Sequence, residues 1–166
     1  MKTTEAKDNR IYGLIDLYTM QTDFFYSVLE GISATDMHNR LNTKANHIAW
    51  LAGSLVEQRY EMASMLTGQE YKQAAHDFFK DNQGIKDGVT YPSAEQYKDD
   101  WKKISPILRD AIINADTEKL NSDVEIPGMK ITFYELISFS TYREANHIGQ
   151  MALWRRLLGY EPMKYM

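Results

Sequence analysis

Apolar side chains recur at spacings of three and four residues in four separate stretches of this chain, the signature of four helices that each bury one face. The first stripe is Ile11, Ile15, Tyr18, Thr22, Phe25, Tyr26 and Leu29, with Gly31 marking its end. The second runs His47, Leu51, Ser54, Leu55, Gln58, Met62 and Met65 until Gly68. The third holds Tyr97, Trp101, Ile104, Leu108, Ala111, Ile112 and Ala115. Pro106 predicts a kink in it, because proline lacks the donor for an i−4 bond. The fourth collects Phe133, Leu136, Ser140, Arg143, Glu144, His147, Gln150, Met151, Trp154 and Leu158 before Gly159, and Thr132 with Glu135 fits a capping box at its start. No segment sustains the alternation of a strand. The pattern predicts an all-α protein, a single domain over residues 1–166 built as a four-helix bundle.

The connections refine that expectation. Gln69–Pro92, between the second and third helices, is too long for a tight turn and predicts a crossover along the bundle, carrying a short helix around Tyr71–Lys80. Asn121–Lys130, with Pro127-Gly128, reads as a loop or a short extended excursion. A formal net charge of −4 argues against a nucleic-acid partner, which needs a concentrated basic surface. Lys102-Lys103 and Arg155-Arg156 read as solvated helix faces. The absence of cysteine removes disulfides, thiolate nucleophiles and cysteine metal ligands. No apolar run approaches the ~20 residues that cross a bilayer, and Met1–Asp8 lacks the apolar core of a signal peptide. The expectation is a cytoplasmic protein with no membrane partner.

Ala-Asn-His-Ile occurs twice, at Ala45–Ile48 and Ala145–Ile148, and both histidines fall on inward stripes of helical patterns. The match extends to five of nine positions between Lys44–Ala52 and Glu144–Ala152; internal symmetry, a shared local environment and coincidence each account for it. The inner faces of the second and fourth helices carry an unusual polar load. His47, Ser54, Gln58 and Glu61 align on one, and Arg143, Glu144, His147 and Gln150 on the other. Burying such groups unpaired costs roughly 1–3 kcal/mol each, so they must pair, bind something or line a wet cavity. A polar pocket between the two helices follows. His38 and His76 read as plain surface residues of the connections. Glu-x-x-His occurs once, as Glu144–His147, whereas di-iron bundles need it twice.

Asn46-His47-Ile48-Ala49-Trp50-Leu51-Ala52-Gly53-Ser54-Leu55 resembles the second-helix motif of the DinB/YfiT-like family. Arg143-Glu144-Ala145-Asn146-His147-Ile148-Gly149-Gln150, continuing through Trp154-Arg155-Arg156-Leu157-Leu158-Gly159, resembles its fourth-helix signature. The resemblance implies an up-down-down-up bundle with a long crossover between helices 2 and 3, commonly a homodimer. It also implies a divalent metal, zinc or nickel, held by three histidines at the positions of Ser54, Arg143 and His147 here. Only His147 is retained. Arginine cannot deprotonate to bind a cation, and a serine hydroxyl is a poor zinc ligand beside imidazole. His47 lies two turns, roughly 10 Å, from Ser54 along the same stripe, so a metal on His147 and His47 would need a relocated site.

Three readings follow. In the first, the pocket has lost its metal, takes no cofactor and binds a small anionic molecule, with Arg143 gripping the anion and Ser54, His147 and Gln150 bonding to it. In the second, a divalent-metal-dependent transferase or hydrolase holds zinc or nickel on His147 and His47, with Glu144, Glu57 or Glu61 supplying a carboxylate. In the third, the polar groups satisfy one another inside a purely structural dimer.

Overall fold

The computed structural model describes residues 5–165; Met1–Thr4, part of the segment read as lacking a leader, lie outside the described residues. The protein is mostly helical with one small two-stranded sheet. Four long helices, α1 (Tyr12–Leu29), α2 (Ile48–Thr67), α4 (Ala94–Asn114) and α6 (Phe133–Leu157), are joined by segments that carry α3 (His76–Phe79), α5 (Thr117–Asn121) and the hairpin β1 (Asp123–Ile126) and β2 (Met129–Thr132). α2 packs on α4 and α6, and α1 packs on the same two helices. All four stripes therefore drain into one core, with Phe25 stacked on Trp101 at 4.1 Å near its centre. Burying a large apolar side chain contributes roughly 1.5–3 kcal/mol, so this shared core holds the helices in place.

The helix ends follow the local chemistry of the sequence. Thr132 and Glu135 form the expected capping box. Ser93 accepts from the Gln96 amide to start α4, and Asp116 accepts from the Lys119 amide to start α5. Gly68 closes α2 in the left-handed region at φ +74°, where a Cβ would be strained. Pro106 lies inside α4, and the helix runs on through it to Asn114.

The structure departs from the sequence expectation in several places. The first Ala-Asn-His-Ile copy is not inside a helix: His47 is the extended residue before α2, and its Nδ1 accepts from the Trp50 amide at 3.1 Å as an N-cap. The second copy sits in the middle of α6, so the repeated tetrapeptide occupies two unlike environments. The short extended excursion expected over Asn121–Lys130 is an antiparallel hairpin that runs on to Thr132, with Ile126 paired to Met129 across Pro127-Gly128. Gly128 at φ +87° supplies the positive φ that such a tight turn needs. Arg155 is buried rather than solvated, since its guanidinium donates to the carbonyls of Val28 and Glu30 at the end of α1. Lys102 and Lys103 are exposed as expected.

Candidate functional site

A cleft of about 950 Å³ opens between α2 and α6, closed at its sides by the crossover and the hairpin. Its size falls within the range of small-molecule pockets. Ser54, Glu57, Gln58 and Glu61 line it from α2, and Ser140 and Arg143 from α6. Trp50, Met62, Phe79, Leu136 and Phe139 supply apolar wall. The crossover is held against α2 and α4 by polar bonds. Asp100 accepts from the Ala74 amide at 3.0 Å, and Gln73 Nε2 donates to the Gly53 carbonyl at 3.1 Å. Gly53 is required by this packing, because a Cβ there would lie 2.2 Å from Phe79 Cζ and 2.6 Å from the Tyr97 hydroxyl.

Arg143 is the best-organised group in the cleft. Its Nη2 donates to Ser54 Oγ at 2.5 Å and its Nη1 to Gln58 Oε1 at 2.9 Å, while Gln58 in turn donates to the Ser140 carbonyl at 3.1 Å. Nη1 also approaches the Ser54 carbonyl at 3.4 Å. Among the described residues, no acceptor takes the Nε–H or the second Nη2–H. Those are the nitrogens through which Arg59 grips Glu144 in two parallel bonds. Loss of water holds Arg143 below its ordinary pKa, opposed by the Glu61 and Glu144 carboxylates. The guanidinium nonetheless stays charged. Glu61 stands at the rim, its carboxyl pushed up by burial against the cleft wall and by neighbouring Glu57.

The remaining residues expected in one pocket are divided among four places. Glu144, adjacent to Arg143 but about 100° around the helix, faces away from the cleft and into the core. There it pairs with Arg59 at 2.7 and 2.8 Å, both side chains almost wholly buried. The Arg59 guanidinium also donates to Thr22 Oγ1 and Ser105 Oγ and lies between the rings of Trp101, 3.5 Å away, and Tyr18, 3.9 Å away. His47 clusters with His38 and Tyr91, at centroid distances of 5.1 and 5.3 Å, and is lowered to about 4 by burial, His38 and Arg40. His147 donates from Nδ1 to the Arg143 carbonyl at 3.1 Å and stacks beside Trp50. Burial and the Arg143 charge lower it to about 4, so it is a neutral ring at pH 7. Gln150 is exposed and bonds only to Asn146 on its own helix, so it is not a pocket residue.

The metal centre implied by the family resemblance does not fit these residues. Arg143 fills the space beside Ser54 with a fixed cation, and His147 is the one imidazole among the three positions. Among the described residues, no three or more histidine, aspartate or glutamate side chains converge in a way that could hold a metal ion. Sequence reasoning also missed members of this region. His76 reaches Glu57 rather than lying free on the surface, and Arg59 is buried. Arg59 did carry a signal, since it follows Leu55 by four residues and precedes Met62 by three, whereas His76 lies in the short helix expected around Tyr71–Lys80, which is too brief to mark a buried face. No helix among the described residues is long and apolar enough to cross a membrane. The chain matches no family model and no curated protein.

Proposed function

We propose that this chain is a DinB-like four-helix bundle, up-down-down-up, whose cleft between α2 and α6 binds a small molecule through an anionic group. One observation carries the reading: Arg143, on the cleft wall, is fixed by Ser54 and Gln58 while no acceptor among the described residues takes its Nε–H or one Nη2–H. A carboxylate or phosphate meeting that edge would make two charge-assisted bonds. The adjoining Met62, Phe79, Leu136 and Phe139 suit an apolar body attached to the anion. The work is done by organic side chains, with no metal in the family's position.

Thermal unfolding with acetate, glutarate, citrate or phosphate tests the reading. At about 100 times its Kd a ligand adds ~2.7 kcal/mol. At about 2–4 °C per kcal/mol for a chain of this size, that raises Tm by roughly 5–11 °C. The gain should vanish in Arg143→Ala, and a panel in which no anion distinguishes the two proteins refutes the role of Arg143.

The active form is proposed to be a homodimer. Its support is an apolar stripe on the outer face of α6, where Phe139, Tyr142, Leu153 and Leu157 are each more than half exposed. Sedimentation equilibrium should give a dimer at micromolar concentration and a monomer for Leu153→Glu with Leu157→Glu. A monomeric wild type rejects the stripe as an interface.

A further inference from the structure

His76, in the short α3 of the crossover, is 30% exposed, and its Nδ1 lies 2.5 Å from Glu57 Oε1. Glu57 is buried on α2, and its second oxygen accepts from Gln73 Nε2 at 2.7 Å. Gln73 is itself anchored on the Gly53 carbonyl, so the carboxylate is held from behind. An ionised carboxylate only accepts; the ring hydrogen of neutral His76 therefore sits on Nδ1, leaving the lone pair on Nε2. Among the described residues nothing donates to Nε2, and the ring lines the same cleft as Arg143. An imidazole oriented through Nδ1 by a carboxylate, its ring on the wall of a ligand-sized space and Nε2 left with its lone pair, is equipped to act as a general base.

We propose that His76, positioned by Glu57, is the general base of a hydrolytic site in this cleft, acting on esters whose acid portion carries a second carboxylate. The carboxylate preference rests on the reading of Arg143 given above; the proton transfer does not. Nε2 takes one proton from a water as the water oxygen bonds to the acyl carbon. The bond from that carbon to the alcohol oxygen then breaks, and the proton on Nε2 passes to the departing alkoxide. Water and ester become an acid and an alcohol, and His76 ends neutral as it began.

The full chain is assayed at pH 8 with 4-nitrophenyl hydrogen glutarate and with 4-nitrophenyl acetate, which carries no anion for Arg143. Wild type should release nitrophenolate from both faster than buffer does, and His76→Gln should lower both rates by on the order of 100-fold. His76→Gln should still be stabilised by glutarate, since it removes the base and not the anion site. Long-range proton–nitrogen NMR should find the wild-type ring protonated on Nδ1, shifting toward the Nε2–H form in Glu57→Gln. A tie that merely fastens the crossover would leave the hydrolysis rates unchanged. The proposal is overturned if wild type does not exceed buffer on either ester, or if folded His76→Gln keeps the wild-type rate. A wild-type ring protonated on Nε2 overturns it as well, and that measurement decides the matter even where His76→Gln does not fold. Failure of glutarate to stabilise wild type, with acetate ester hydrolysis intact, would instead remove only the anion site.

Discussion

Glu144→Ala strands a guanidinium in the middle of the protein. In the native fold Arg59 makes two bonds to Glu144, one to Thr22 and one to Ser105, and its planar head is sandwiched by Trp101 and Tyr18. The substitution deletes what is, among the described residues, the only opposing charge in contact with it, while the hydroxyl and aromatic contacts remain. Breaking a desolvated pair from one side costs about 3–5 kcal/mol, because the surviving charge is left uncompensated. Set against a typical total stability of ~5–15 kcal/mol, this is a large fraction. At about 2–4 °C per kcal/mol, Tm should fall by roughly 6–20 °C. Removing both charges, as Arg59→Met with Glu144→Leu, should recover most of the loss, since the desolvation cost leaves with the ions. Urea unfolding followed by circular dichroism at 222 nm measures all three proteins. A Glu144→Ala midpoint within about 1 kcal/mol of wild type would show that water still reaches the pair. A double variant as damaged as the single one would show that packing, not charge, sets the cost.

Acid should weaken the fold through His47 and His147, both lowered to about 4 from an ordinary 6.5. Between those values the unfolded chain binds more protons than the native one, so their contribution is full above about pH 6.5 and is lost as pH falls toward 4. Urea midpoints should decline from pH 7 to pH 4.5, less so in His47→Gln with His147→Gln; equal slopes in the two proteins would contradict the assignment. Gly53→Ala should cost roughly 1–3 kcal/mol by driving a methyl into Phe79 and Tyr97. Its ring-current shifts by NMR should change at Phe79 and not at Phe25, and an unaltered Phe79 would mean the crossover is looser than its packing indicates. His47→Ala removes the cap of α2 and should lower stability by about 0.5–2 kcal/mol, whereas a neutral result would reassign the Trp50 amide to water.

The helices were legible in the chain because burial imposes a period. A helix with one wet side must repeat every 3.6 residues, and Ile11 through Leu29 or Tyr97 through Ile112 could satisfy no other geometry. Capping was equally local: Thr132 and Glu135 need only each other and the intervening backbone. The division of the polar residues was not local. Arg143 and Glu144 are neighbours in sequence, yet one faces a cleft and the other a buried cation on α2, and the identity of that cation lies 85 residues away. The same holds for His76, whose character depends on Glu57 reaching it across a crossover that carries no period. Periodicity reports how far a side chain sits from water. Which polar group meets which is decided only when separate segments are brought into register by the core, and for this protein that pairing seals Arg59 against Glu144 in the interior while Arg143 is left on the wall of the cleft.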